Sequence, residues 1–415
     1  MSVTRTGDVF AAIDIGASSG RVILGRLGEH GPELETVHRF PNGAKRIGGA
    51  LRWDIHEIFR QVLTGLRLAA ERTEVSGERI VSIGIDTWAV DYGLVDANGT
   101  LQSIPYSYRD DRTQATADVV HRKIDPARLY ATTGLQFLPF NTIYQLAAAR
   151  DLSGLQALLI PDLLAFWLTG ERRTEETNAS TTGLFDAASG EWATEFFGPL
   201  GLPRDLFPPL IKPGEQSGTL LPDIARRTGL APDTAVVAVG SHDTASAVAA
   251  VPAAGTEFAY VSSGTWSLVG VELQHPVLTD ASRMANFTNE RGVDGTIRYL
   301  RNVGGLWLLQ ECLRTWNAEG RQTSLADLLD DAAGLPAGGP LIDADATEFI
   351  APDNMPDRLR AAVASAGGRL PTDPAAVVRC ILDSLAAGYA RTVNQAAILS
   401  GLDVKTVHIV GGGSQ

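Results

Sequence analysis

The sequence predicts an α/β protein of two similar lobes, each a mixed sheet flanked by helices, facing one cleft. Three observations carry that prediction. Two early strands joined by a glycine turn come before any helix, which departs from the strict strand–helix alternation of a fully parallel sheet. The strand–turn–strand pattern starts again from residue 256. Ser18-Ser19-Gly20, with Leu24 four residues on, is echoed by Ser262-Ser263-Gly264, with Leu268 four residues on, each between two strand candidates. The boundary falls near residue 250, giving units 1–250 and 251–415, and 415 residues suit two or three domains of about 150.

The elements follow in order. Residues 9–15 are an apolar run interrupted by Asp14, 16–20 are turn-like, and 22–26 return to apolar character. Trp53, Ile55, Ile58, Phe59, Val62, Leu63 and Leu66 recur at helical spacing, with Asp54 near the N-terminal end. Residues 81–85 and 92–95 read as short strands, the latter followed by the turn Asp96-Ala97-Asn98-Gly99. Helical patterns dominate 113–170, a polar stretch covers 171–182, and Pro208, Pro209, Pro213 and Pro222 mark an irregular connector. Residues 235–239 form a strand and 245–251 a helix closed by Pro252. In the second unit, 258–261 and 268–273 are strands around a turn, and an apolar helix follows Gly304-Gly305.

Composition narrows the function classes. The net charge of −13 argues against nucleic-acid or anionic-membrane partners, while leaving room for an anionic nucleotide at one site. Lys45, Lys123, Lys212 and Lys405 are the only lysines and none follows a glycine, so a Walker A loop is excluded. Cys312 and Cys380 stand alone, which excludes a disulfide framework and zinc spacing. No basic-then-apolar leader is visible in 1–9, and the apolar stretch 155–168 is broken by Asp162, so a reducing cytoplasm is expected.

Asp14 lies in an apolar strand just ahead of Gly16-Ala17-Ser18-Ser19-Gly20-Arg21. A carboxylate there is costly unless paired or near a cation. Glycines let backbone N–H groups converge on an anion, serines add hydroxyl donors and Arg21 a fixed charge, so the segment reads as a phosphate-binding hairpin with Asp14 directed at a metal through water. The alternative is a plain hairpin turn. The same residues match G-x-S-x-G, but a hydrolase elbow needs a helix next, and Val22-Ile23-Leu24 reads as strand. Asp86-Thr87-Trp88-Ala89-Val90-Asp91 mixes carboxylates with an indole at a strand end, as a sugar site would, or forms a solvated turn over a core tryptophan. Tyr108-Arg109-Asp110-Asp111-Arg112 and 136–141 repeat that mixture. Gly240-Ser241-His242-Asp243-Thr244-Ala245 joins a strand to a small-residue helix; Asp243 caps that helix or takes a hydroxyl proton in a cleft, with His242 lining the pocket. His56-Glu57 lacks a second histidine four residues on, so a metal pair there is unsupported. The run into Gly411-Gly412-Gly413 permits close backbone approach to a nucleotide, or is a flexible end.

Assembled, these segments resemble the FGGY family of carbohydrate kinases. The resemblance runs from about residue 9 to the last residue. It rests on 14–21, Ile85-Asp86-Thr87-Trp88, Tyr108-Arg109-Asp110, 136–142, Pro161-Asp162, Leu168-Thr169-Gly170, Thr177-Asn178-Ala179-Ser180, 241–245, 262–267 and 305–310. It implies two ribonuclease H-like, actin-type lobes, with ATP and sugar meeting in the cleft and Mg²⁺ as cofactor. It further implies phosphorylation of a ketose at O1, L-rhamnulose being expected, with fuculose or xylulose, or a non-catalytic actin-like nucleotide-binding module, as alternatives. Residue by residue, it assigns Ala17, Ser18, Ser19, Gly20, Arg21 and Thr265 to ATP phosphates, and Gln310 and Gly412 to the nucleotide side. His242, Asp243, Thr244 and Asn302 would contact the sugar, Asp243 as proton acceptor. Ala89 stands where relatives commonly have glycine in a sugar-contacting turn, and its methyl narrows that pocket. Relatives continue beyond Gly-Gly-Gly-x-Gln with a helix and further elements, so an incomplete nucleotide side with exposed apolar surface is expected. The protein is expected to act as a monomer or homodimer.

Overall fold

The computed structural model describes residues 7–113, 115–321 and 324–414. Residues 1–6, part of the leader reading, and Gln415 lie outside them. The chain divides into two compact units: Met1–Ala250 with Gln274–Arg283 and Asn289–Arg298, and Val251–Leu273 with Met284–Thr288 and Tyr299–Gln415. A single cut near 250 does not describe this division, because two later segments count with the first unit.

The first unit is organised on a six-stranded mixed sheet. β1 (Asp8–Ile15), β2 (Ser19–Gly28) and β3 (Gly31–Pro41) form an antiparallel meander. A small hairpin of β4 (Ala44–Ile47) and β5 (Ala50–Trp53) leads into helix α1 (Ile55–Ser76), and β6 (Arg79–Thr87) then returns parallel to β1. Strand Ala235–Val237 lies parallel to β6 on its other side, and Gln216–Thr219 closes that edge. Trp53 ends β5 rather than opening the helix; its indole is buried, so it fits the helical apolar rhythm without being helical. Asp54 caps α1 by accepting from the Glu57 N–H, and Gly77, at φ 70°, ends it in the left-handed conformation.

α1 buries Ile55, Ile58, Val62, Leu63, Leu66 and Ala69 against Val9, Ile13, Val22 and Leu24 of the sheet. Gly65 makes this contact close: a Cβ there would lie 2.3 Å from Val22 Cγ2. The stretch 113–170 is mostly helical, as its pattern predicts, with strand Gln156–Leu159 inserted before helix Ile160–Thr169. The polar stretch 171–182 carries helix Glu176–Ala179, and its residues from Thr174 to Thr182 are buried except Glu176, which is half-buried.

The second unit centres on the hairpin of Phe258–Ser263 and Trp266–Leu273. Thr406–Val410 runs parallel to its first strand, and Ile297–Gly304 neighbours its second. Helices Trp307–Ala318, Met355–Ser365 and Pro374–Ser400 contribute Leu308, Cys312, Trp316, Leu359, Val377 and Ile381 to one apolar cluster.

The internal echo is present but offset. Ser18 stands at the turn and Ser19 opens β2, with Gly20 paired to Ile15, whereas Ser262 and Ser263 end a strand and Gly264-Thr265 make the turn. Gly16 and Gly264 are the positions that correspond, each donating its N–H back across its own hairpin, to Ser19 O and Trp266 O.

Candidate active site

Strand register assembles the first unit's site. Asp14 on β1 stands opposite Arg21 on β2 and beside Asp86 on β6, so three neighbouring strands present a row of charge. Arg21 closes on Asp14 through Nε at 2.8 Å and Nη2 at 2.5 Å. Thr87, next to Asp86, bridges in parallel to His242, and its N–H donates to Ser241 O at 2.9 Å, which places 241–243 at the end of the same row. Burial, then the charges of Asp14 and Asp243, hold the Asp86 carboxyl well above the usual range.

The Ser241-His242-Asp243 segment is anchored from beneath. Glu175, 2% exposed, accepts from the Ser241 N–H and hydroxyl and from the N–H groups of Thr177 and Asn178. The His242 N–H reaches Thr177 Oγ1 at 3.3 Å. Asp243 does not cap its helix. Helix Asp243–Ala249 has His242 at its N-cap position, and Asp243 Oδ1 instead accepts from Thr244 Oγ1 at 3.0 Å and lies 3.5 Å from His242 Nε2. Its side chain keeps 41% of its surface open while protein crowds its other sides. Burial raises its pKa, against His242 and Thr244, with Asp14 adding to the rise; the opening tempers the effect of burial. An accessible carboxylate with raised basicity, held by Thr244 and His242 at Oδ1, has the form of a general base.

The turn after β6 is neither solvated nor relaxed. Val90 is buried at φ 67°, unusual for a β-branched residue, and the Asp91 N–H closes back on Ala89 O at 2.9 Å. Thr142 Oγ1 donates to Val90 O at 2.7 Å. Asp91, 1% exposed, accepts from the indoles of Trp53 and Trp88, the Tyr108 N–H and the Gln145 amide. Ala89 is thereby held half-buried on a strained turn.

On the phosphate hairpin, Ser18 and Ser19 are exposed with N–H and hydroxyl donors, Ala17 is half-buried, and Asn42 Nδ2 ties the turn by donating to Gly16 O. Gly20 is packed closely as well: a Cβ there would meet the Phe40 ring at 2.2 Å. In the second unit, Leu306 and Trp307 N–H groups donate to Gly264 O and Thr265 O. A Cβ at Gly305 would lie 2.7 Å from Thr265 O, and at Gly411, with φ 87°, 2.6 Å from Ser263 O. These glycines thus let two segments close on the hairpin end that holds Thr265. Gly412 and Gln310 are exposed, the latter in the first turns of Trp307–Ala318, and Asn302 is half-buried on Ile297–Gly304.

The donor set suits a hydrated divalent cation. Among the described residues no three acidic, histidine or cysteine side chains lie close enough to hold a metal directly. Asp14, Asp86 and Asp243 nevertheless converge enough for Asp14 and Asp243 to raise the Asp86 pKa, and Mg²⁺ characteristically keeps its waters and meets only one or two carboxylates.

Residues 9–250 match the N-terminal domain, and 259–415 the C-terminal domain, of the FGGY family of carbohydrate kinases. The chain belongs to that family. A rhamnulokinase of Bacteroides thetaiotaomicron is 41% identical over 412 residues, covering 98% of this chain and 83% of the relative. One of Klebsiella pneumoniae is 42% identical over 413 residues, covering 97% and 82%. The fold is shared with solved sugar kinases: a xylulose kinase from Rhodospirillum rubrum superposes with TM-score 0.74 at 18% identity, over 98% of this FGGY chain and 82% of that one. No helix among the described residues is long and apolar enough to cross a membrane.

Within this FGGY kinase, sequence reasoning passed over Glu175, Glu290 and Arg298. Glu175 lies in a stretch rich in polar residues, and nothing local marks it as buried. Glu290 and Arg298 belong to a segment that returns to the first unit after the chain has left it, which no spacing reveals.

Proposed function

We propose that this chain transfers the γ-phosphoryl group of ATP to O1 of L-rhamnulose, giving L-rhamnulose 1-phosphate and ADP, with Asp243 as general base. One observation carries the chemistry: Asp243 is open on one side, raised in basicity, and held at Oδ1 by Thr244 and His242. The two rhamnulokinase relatives support the acceptor.

Asp243 Oδ2 accepts the proton of the O1 hydroxyl as that oxygen attacks the γ-phosphorus in line. Thr244 and His242 hold Oδ1, so the carboxylate does not rotate away. His242, Thr244, Asn302 and the strained turn at Ala89 orient the sugar. Ala17, Ser18, Ser19, Gly20 and Arg21 of the hairpin, with Thr265, hold phosphate oxygens, while Gln310 and Gly412 flank the nucleotide. Asp14 would hold Mg²⁺ through water, and the bound ion supplies charge neutralisation at the β- and γ-phosphate oxygens. The reading carries with it a cytoplasmic monomer or homodimer, a setting supported by two buried free cysteines.

ADP release with Mg²⁺-ATP and L-rhamnulose, L-fuculose and D-xylulose tests this, with Asp243→Asn in parallel. Turnover should be strongest on L-rhamnulose and fall by about 10²–10⁴ in kcat in the variant. Unchanged kcat in a folded Asp243→Asn protein would remove Asp243 from its role; stronger turnover on another ketose would replace the acceptor.

A further inference from the structure

His242 has a second set of neighbours behind it. Its Nδ1 lies 3.1 Å from Glu290 Oε2 and 3.3 Å from Arg298 Nη2, and those two side chains pair at 3.1 Å. Arg298 is 0% exposed and Glu290 3%, and Arg298 Nε donates to Arg291 O at 3.0 Å. The Glu290 contacts are bent, so Oε2 makes ion-pair rather than aligned hydrogen-bond contacts. Burial pushes the Glu290 carboxyl up, but Arg298 and His242 outweigh it and hold it below the usual range, hence ionised.

A buried ion pair is poor stabilising material, because the desolvation of both charges commonly cancels their attraction. This pair also leaves Arg298 Nη1 buried without a hydrogen-bond partner. Its location offers a reason for its presence: it meets the one nitrogen of His242 that does not face Asp243. Nδ1 has two contending partners of opposite demand. A protonated Nδ1 would donate to Glu290 and a bare Nδ1 accepts from Arg298. Of the two, only the Arg298 contact is aligned as a hydrogen bond, which leaves the ring proton on Nε2, facing Asp243 Oδ1.

We infer that Glu290, by holding Arg298, is a positioning residue for phosphoryl transfer: Arg298 donates to His242 Nδ1 and fixes the ring so that Nε2–H stays on Asp243 Oδ1 and leaves Oδ2 for the sugar hydroxyl. The inference rests on the reading of Asp243 as base. It adds two residues to the reaction that touch neither sugar nor nucleotide, and it defines the order Glu290–Arg298–His242–Asp243 through which they act.

The test is a double-mutant cycle of Glu290→Gln and His242→Gln, read by kcat and by KM for each substrate, with thermal unfolding as control. Glu290→Gln keeps the shape and removes the charge. Alone it should lower kcat about tenfold, with KM for ATP within about twofold of wild type; on His242→Gln it should add less than about twofold. A structural role would instead add its full penalty in both backgrounds, and that result overturns the inference, as does an unchanged kcat in the folded single variant. A second measurement needs no turnover: ¹⁵N spectra of histidine-labelled protein, with His242 assigned by its loss in His242→Gln. A bare Nδ1 with the proton on Nε2 is expected, and a neutral ring with its proton on Nδ1 overturns the inference even if Glu290→Gln fails to fold. Wild-type protein that phosphorylates no ketose would sink the reading of the reaction; wild-type turnover matched by Glu290→Gln would sink this inference alone.

Discussion

Asp91 shows what a single residue does here that its motif does not announce. Read as part of a polar strand-end turn, it could serve a sugar or face solvent; instead it is fully enclosed and receives four donors. Burial still wins, against the help of Gln145, Trp53, the Tyr108 N–H and Trp88, and the pKa rises from 3.8 to about 6. The sign of the consequence follows. Between about pH 4 and 6 the unfolded chain releases a proton that the folded chain retains, so stability falls as pH rises through that window, by roughly 3 kcal/mol for this group. Asp91→Asn removes the titration. The stability difference, variant minus wild type, should therefore rise by roughly 3 kcal/mol from pH 4 to pH 7 in urea unfolding. A flat difference would show that Asp91 titrates normally. Because Asp91 and Thr142 together hold the strained 89–91 turn, Asp91→Asn should also raise KM for the ketose more than KM for ATP. Steady-state kinetics at pH 7 checks this, and equal changes in both would detach the turn from the sugar.

At the scale of elements, the early strands, α1 and the second unit's hairpin were legible because each has one buried face and one period. Strand Ile297–Gly304 and helices Met355–Ser365 and Pro374–Ser400 went unread. The hairpins were legible as hairpins but not in register: Ser-Ser-Gly suits a turn and a strand end equally, and only cross-strand pairing decides. The glycines followed the same rule. Gly16-x-x-x-Gly20 reads as a phosphate motif, and Gly20 also makes room for Phe40, while Gly305 and Gly411 are required by backbone oxygens 2.7 and 2.6 Å from their absent Cβ atoms. The end of a side chain can yield to a new methyl more readily than a backbone carbonyl already held by a hydrogen bond, as Thr265 O is by the Trp307 N–H. Gly305→Ala should accordingly displace the Gly264-Thr265 turn, cost about 1–3 kcal/mol, and raise KM for ATP with little change for the ketose. Calorimetry and two-substrate kinetics check it. Unchanged stability would mean the Trp307–Ala318 entry moves freely, and an equal loss for the ketose would separate this turn from nucleotide binding.

At the scale of the molecule, the sequence anticipates two units on mixed sheets but not the two segments that return to the first, since no local pattern records where a chain revisits an earlier fold. Glu290 and Arg298 were lost to reading for that reason, whereas Asp14, Arg21, Asp86 and His242-Asp243 stand out in sequence as polar residues at the ends of apolar runs, where sites in sheet proteins gather. The two cysteines, unremarkable in sequence, give each molecule an internal probe of one unit. Cys312 and Cys380 are free, buried, and part of the second unit's apolar cluster, and burial, with Glu311 beside it, pushes the Cys312 thiol up to about 12. A thiol reagent should therefore find neither in the native protein at pH 8 and both in denaturant. Slow labelling of native protein then reports opening of the second unit, where Thr265, Gln310 and Gly412 are proposed to hold ATP. A ligand bound only to the closed form, at 100 times its Kd, stabilises by about 2.7 kcal/mol and slows labelling about 100-fold when opening is in pre-equilibrium. Mg²⁺-ATP should give that protection to both cysteines. Labelling at the rate of a small free thiol would contradict the burial, and slow labelling indifferent to saturating ATP would remove the nucleotide from the second unit.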